Sequence, residues 1–361
     1  MFNCFHRVIL RFTLLFVLLA SGIFLSSCTS GDNSDLFGFV LSGDQPIVSS
    51  TVTLFRTGTA KGIKKLGSAV TDSTGFFIIF YNAPSDPNAV LYLTADNDLI
   101  SLSLQTRSSD LNSVRLATVL GQLPVQSEIV INERTTVATA YAMAQFFTPT
   151  GIDGTSPGLQ NAAATAQNLV DLSNGDIGQV LDSFPNGAST STRATLNALA
   201  NMLASCVRSD ANCDSLFNLA TPPEGIPPTN TLEAAVNIAH FPWQNVTELF
   251  TLSQDEIVYE PALTSDTDLT AWTLALRYQG NGMELNGPGN IAFDKDGNAW
   301  IVNNYVFQLD PQDPEGRVCG DDHLLKFTPR RVKIFPVRHI MAAVFTAPVS
   351  ALHLILRGMF G

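Results

Sequence analysis

Few residues in this chain are of a type and spacing that could do chemistry. Cys206 and Cys213 frame the stretch "CVRSDANC", with six residues between them and no histidine nearby. A zinc shell needs four nitrogen, sulfur or oxygen ligands, so this pair cannot complete one. A disulfide is the expected state. Closing so short a loop would stabilise the fold by about 2.5 kcal/mol on the chain-entropy argument, in a compartment oxidising enough to permit it. Asp294, Asp296 and Asn298 alternate like the oxygen ligands of a calcium loop. Gly297 falls at the fourth place rather than the sixth and no glutamate closes the loop, so a hairpin turn is expected instead. Asp72, in Thr71-Asp72-Ser73-Thr74-Gly75-Phe76, could be a calcium or catalytic carboxylate, yet a turn explains it: Asp bonds the backbone ahead of it and Gly takes positive φ. His240 stands beside Phe241 and Trp243, which reads as a packed histidine at a helix end, and neither it nor His323 has a matching acid, nucleophile or ligand cluster. The expectation is therefore no catalytic residue, no metal and no cofactor.

The remaining reactive residue is Cys28, at the edge of "FVLLASGIFLSSCTSGDNSD". Arg7 and Arg11 precede an apolar run over residues 12–25, and Leu25-Ser26-Ser27 then supplies small residues. This is the layout of an export signal, and the run is short of the ~20 residues that a spanning helix needs. With a cysteine after the cleavage point, the stretch resembles the lipobox of bacterial lipoproteins. That resemblance implies diacylglycerol on the Cys28 thiol, cleavage before it, and acylation (palmitate among the chains) of the new amino terminus. At about 0.8 kcal/mol per buried methylene, several chains together anchor a protein almost irreversibly. Thr29 rather than Asp at the second mature position implies, by the family's sorting habit, the outer membrane of a Gram-negative cell.

Charge narrows the partners. Between Cys28 and Thr328 the chain carries 13 basic residues against all 32 acids, a surplus of 19 negative charges. Such a surface repels phosphate backbones, which excludes nucleic acid as a partner.

The elements that must position these residues change character along the chain, and the expected class is multi-domain α+β. Residues 1–27 are the signal and 28–34 a short polar tether. Residues 35–125 alternate as strands bounded by Gly, Asp, Asn and Pro, an N-terminal β-sandwich. Here "GFVLSG", "PIVSSTVTL" and "TDSTGFF" resemble the carboxypeptidase regulatory-like, prealbumin-type domain of surface lipoproteins, which carries no peptidase chemistry. Residues 126–255 take helical period, a central α-helical region. Asn132 caps a helix with Glu133 in its first turn, and Leu196, Leu199, Leu203 and Val207 share one face of another. Further helices are expected in "LQNAAATAQNLVDL", "IGQVLDSF", "TLEAAVNIAHF" and "WQNVTELF". Residues 256–329 read as short strands, "DLTAWTLALRYQG", "GPGNIAFDKDGNAWIVNN" and "HLLKFTP". They resemble one blade of an NHL or SMP-30-like β-propeller, where an "A-x-D" strand, a "G-N" turn and a "W-V" strand recur. Residues 330–361 shift to five basic residues and no acid, an atypical basic and apolar tail expected to be out of frame, which makes the chain a truncated propeller relative.

The function these readings imply is a membrane-anchored envelope lipoprotein with a binding or structural role and no enzymatic activity, holding an unidentified protein or carbohydrate ligand. The alternative is a fragment of a propeller enzyme of the lactonase or streptogramin-lyase type. Such sites draw residues from several blades, and one blade cannot assemble them.

Overall fold

Strict alternation in "FFIIFYN" sends Phe77, Ile79 and Tyr81 inward and leaves Phe76, Ile78 and Phe80 on the opposite side. That is how a strand with one dry and one wet face is built. The structure, a computed structural model, describes residues 33–97, 114–278, 288–303 and 324–328. The signal, Cys28 and the start of its tether, Cys319, His323 and the tail from 330 lie outside the described residues.

Eight strands come first: β1 (Asn33–Ser42), β2 (Gln45–Pro46), β3 (Thr51–Thr57), β4 (Lys64–Val70), β5 (Phe76–Asn82), β6 (Val90–Asn97), β7 (Val114–Gln122) and β8 (Glu128–Ile131). They form two four-stranded sheets. In one, β2, β1 and β5 are neighbours and β8 pairs with β1 in parallel; in the other the order is β4-β3-β6-β7, antiparallel throughout. Strands β6 and β7 are buried at almost every position, unlike β5, because helices cover their outer face.

Seven helices follow: α1 (Glu133–Ala142), α2 (Gly158–Leu169), α3 (Gln179–Asp182), α4 (Thr192–Arg208), α5 (Asp210–Leu219), α6 (Thr231–His240) and α7 (Val246–Ser253). Asn132 starts α1 with a reciprocal cap: its Oδ1 accepts from the Thr135 amide at 2.9 Å, and Thr135 Oγ1 accepts from the Asn132 amide at 3.0 Å. The same side chain donates to the Gly175 carbonyl at 2.9 Å, which ties α1 to the turn between two short strands, β11 (Val170–Asp171) and β12 (Asp176–Ile177), that follow the small hairpin of β9 (Phe147–Thr148) and β10 (Gly151–Ile152). Losing both roles should make Asn132→Ala less stable by about 2 kcal/mol in urea unfolding. A loss below a few tenths would show that water replaces the cap.

Edge strand β7 has outward N–H and C=O groups that need partners. Threonines supply them. Ala117 and Val119 amides donate to Thr136 and Thr139 Oγ1, each at 3.0 Å, Thr135 Oγ1 donates to the Ala117 carbonyl at 3.1 Å, and Thr231 Oγ1 at the start of α6 both accepts from and donates to the Arg115 backbone, at 3.1 and 2.7 Å. One contiguous apolar core results, running from Leu36 in β1 through α4 to Trp272.

The stretch "DLTAWTLALRYQG", expected as a strand, runs to Tyr278 as irregular extended chain over the helices. Its backbone finds side chains rather than a sheet. Asn186 brackets Arg277 by accepting from its amide at 2.8 Å and donating to its carbonyl at 3.1 Å, and Thr192 donates to the Ala275 carbonyl at 2.7 Å. Likewise "IGQVLDSF" makes only the four residues of α3. The last described strands, β13 (Pro288–Phe293), β14 (Ala299–Asn303) and β15 (Leu324–Phe327), form an antiparallel sheet. The described residues are thus mixed α+β, built of several small sheets, mostly antiparallel, none of them closed among those residues. No helix among the described residues is long and apolar enough to cross a membrane.

Candidate functional site

Among the described residues, those singled out in the sequence are each held by local surroundings of their own. Cys206 near the end of α4 and Cys213 in α5 are joined by a disulfide, S–S 2.01 Å, and both are buried. Asp72 Oδ1 accepts from the Thr74 amide and hydroxyl, both at 2.7 Å, and from the Phe76 amide at 3.1 Å. The Thr74 bonds, foremost its hydroxyl, hold that carboxyl below its ordinary range. His240 Nε2 sits 2.9 Å from the Ala144 carbonyl, with its ring edge-on to Phe241.

Asp294 is the hub of the last hairpin. Oδ1 takes the amides of Asp296 and Asn298, and Oδ2 takes Trp300 Nε1 at 3.0 Å and Asn298 Nδ2 at 2.8 Å. Burial raises its pKa, but these bonds outweigh burial and hold it well below the ordinary carboxylate value. Lys326 Nζ, 3.4 Å from Oδ2, adds a cation. The lone pairs are committed to this turn, which leaves Asp294 unsuited to a metal. Among the described residues no group of three His, Cys, Asp or Glu side chains is placed to hold one.

A buried ionisable cluster escaped the sequence reading. Glu133, at the first position of α1, is fully enclosed; its Oε2 accepts from Tyr259 Oη at 2.5 Å and from the Gly43 amide at 3.3 Å. Its Oε1 and the Ser42 hydroxyl beside it make no hydrogen bond. Burial pushes the Glu133 carboxyl above its ordinary value, and the nearby Ser42, Tyr259 and Gly43 groups oppose the rise without cancelling it. Burial, with the charge of Glu133, likewise pushes Tyr259 up. Arg134 lies 4.4 Å over the Tyr259 ring and donates to Asn197 Oδ1 at 2.8 Å and Asp176 Oδ1 at 2.7 Å. Asn201, one turn further along α4, accepts from the Val258 and Tyr259 amides at 3.1 and 2.8 Å and donates to the Tyr259 carbonyl at 3.1 Å. A carboxyl so enclosed cannot meet a substrate; the cluster is a lock joining β1, α1, α4 and the segment after α7. Two asparagines spaced one turn apart inside the apolar face of "LNALANML" were the one sequence signal for it.

Access to solvent is found elsewhere, in a cleft of about 330 Å³ where β7 ends against α2 and α3. Five carboxamides, Gln122, Gln126, Gln167, Asn168 and Gln179, stand around an apolar floor that includes Leu172, and no charged side chain lines it. Two of the amides are oriented by the fold. Gln167 Nε2 donates to the Leu120 carbonyl at 2.7 Å and Gln122 Nε2 to the Pro87 carbonyl at 2.9 Å. A carbonyl only accepts, so each amide must turn its nitrogen to the protein, which fixes its orientation and leaves its oxygen and a second N–H uncommitted. Asn168 Nδ2 is similarly placed 3.1 Å from Tyr278 Oη. The arrangement offers fixed acceptors and free amides to a partner rich in hydroxyl donors.

No family model matches this chain, and no curated protein does. Among solved structures, a 9R-lipoxygenase from Cyanothece PCC8801 aligns at 15% identity over 55% of this chain and 26% of that one, with a TM-score of 0.19. The chain therefore spans about a quarter of that protein, and a likeness this slight carries no argument about fold or chemistry.

Proposed function

We propose that this protein is a bacterial envelope lipoprotein, anchored through Cys28 at the outer membrane, that binds an uncharged, hydroxyl-rich ligand and does not transform it. In this reading residues 35–125 are the prealbumin-type sandwich, 126–255 a helical layer and 256–329 an incomplete NHL-type blade. The amide-lined cleft carries the proposal. Carboxamides donate and accept at once, as paired sugar hydroxyls do, and an uncharged lining matches a neutral saccharide better than an ion. The enclosure of Glu133 and the committed lone pairs of Asp294 favour binding over catalysis, since neither carboxyl is free to exchange a proton with a bound molecule.

The test is a titration of the full chain in detergent with neutral oligosaccharides, maltotriose and chitotriose, beside a sulfated trisaccharide of equal length. A neutral sugar should bind, and Gln167→Leu should weaken it by about threefold to tenfold, the worth of one hydrogen bond. Binding of the sulfated sugar alone, or equal binding by parent and variant, would sink the assignment.

A further inference from the structure

A soluble strand pair normally turns polar side chains to water, but the outer face of β1 and β5 carries five aromatic or aliphatic side chains beside Asp35. Phe80 is 69% exposed and Ile78 39%, and Phe37, Phe39 and Phe76 lie half-buried around them. The strand register makes these residues neighbours: Phe80 is opposite Asp35, Ile78 opposite Phe37, and Phe76 opposite Phe39. Ring centroids of Phe76 stand 6.5 Å from Phe37 and 5.5 Å from Phe39, so the face is one contiguous aromatic surface. Contiguous apolar patches of this kind mark a surface meant to be covered.

The neighbouring strand brings charge to one end of it. β4 runs alongside β5; a Cβ on Gly67 would meet Ile79 Cγ2 at 2.6 Å and the Phe80 carbonyl at 3.3 Å. The turn at Thr71–Gly75 joins the two strands, so Lys64 and Lys65 lie toward Asn82, the residue that pairs with Asn33. Both are exposed, as is Lys61 in the preceding loop. In a chain with so large an acidic surplus, three lysines in five residues are a local exception. Two exposed acids share the face, Asp35 opposite Phe80 and Glu128 opposite Phe37, and the three lysines outnumber them.

We infer that this face lies against the phospholipid surface, with the phenylalanines at the acyl boundary and the lysines among the headgroups. The inference rests on the reading of Cys28 as the anchor. Cys28 precedes Asn33 by five residues, and five extended residues reach at most about 18 Å. The lysine-bearing end of the face is therefore held within that distance of the bilayer. Aromatic side chains beside lysines are the composition that seats a protein in the interface, and the anchor removes most of the entropic cost of bringing them there.

The experiment reconstitutes the full-length protein carrying Phe80→Trp into phosphatidylethanolamine and phosphatidylglycerol vesicles at three to one. The unsubstituted chain supplies the background of its three native tryptophans. Lipids brominated in the upper acyl chain should quench the added emission at least twofold, and Lys64→Glu with Lys65→Glu should reduce that quenching. The mass of the N-terminal peptide reads the anchor separately. An acylated protein whose introduced indole is untouched by brominated lipid overturns this inference and spares the anchor. Quenching in a protein that lacks acyl chains does the reverse. Protection from both brominated lipid and aqueous acrylamide would mean that a second copy, or residues 330–361, covers the face, which also overturns it. Ile78→Trp repeats the measurement from the preceding outward position of β5.

Discussion

Asn201→Leu should lower the free energy of unfolding by about 4 kcal/mol, because two buried backbone groups of Tyr259 and the part-buried Val258 amide lose their partners at once. Leucine preserves the volume, so packing contributes little to the loss. What disappears are the acceptor for the Val258 and Tyr259 amides and the donor to the Tyr259 carbonyl. Each Tyr259 group, left buried and unpaired, costs about 1–3 kcal/mol, and the half-exposed Val258 amide less. The effect should be local in origin and global in readout, since Tyr259 in turn holds Glu133. Asn197→Leu is the graded control. Asn197 makes two bonds, donating to the Pro261 carbonyl at 2.8 Å and accepting from Arg134, and should cost roughly half as much. Urea unfolding of both variants measures this, and a loss under about 1 kcal/mol for Asn201→Leu would mean that the segment after α7 is held by its apolar contacts alone.

Glu133 predicts a change whose sign depends on the substitution. Glu133→Ala should be about 3 kcal/mol less stable than the parent at neutral pH, because the buried Tyr259 hydroxyl loses its acceptor and a void replaces the side chain. Glu133→Gln should behave oppositely. It keeps an acceptor for Tyr259 and the Gly43 amide, adds a donor toward the unbonded Ser42 hydroxyl, and removes a charge from a site closed to water. The pH dependence follows from linkage. Burial holds the folded Glu133 above its ordinary value of 4.5, so the folded state keeps a proton that the unfolded chain releases as pH rises. Glu133 thus costs stability progressively as pH climbs from about 4.5 toward its raised folded value, and glutamine does not. Thermal unfolding at pH 4.5 and pH 8 should show parent and Glu133→Gln close together in acid and separated in base, with the glutamine variant higher. A gap that is constant with pH, or reversed, would show that the carboxyl ionises inside the fold at little cost.

Much of the local structure was legible in the sequence. The cap at Asn132, the Asp72 and Asp294 turns and the buried face of Leu196, Leu199 and Leu203 all depend on residues within a few positions of one another. The disulfide belongs with them, because Cys206 and Cys213 are separated by only seven positions. Misreadings arose where a local pattern had a distant partner. The run around Trp272 has the β-branched and aromatic content of a strand, yet its backbone is bonded by Asn186 and Thr192, more than 80 residues earlier, and so it never pairs in a sheet.

Sequence by itself determined where helices such as the one capped by Asn132 start, where the Asp72 and Asp294 turns fall, and which cysteines could join, because hydrogen-bond geometry and side-chain periodicity act over one or two turns of chain. Only the tertiary structure decided what those segments do to one another. Gln167 becomes an oriented acceptor because the Leu120 carbonyl, 47 positions away, captures its nitrogen, and Glu133 becomes a closed proton site because Tyr259 arrives from 126 positions away. Ile78 and Phe80 stay exposed while their neighbours Phe77 and Ile79 are buried, since only one side of β5 has a second sheet to pack against. Burial is a property of the whole packed chain, and desolvation, which turns an ordinary glutamate or glutamine into a lock or a site, is settled by packing and not by spacing.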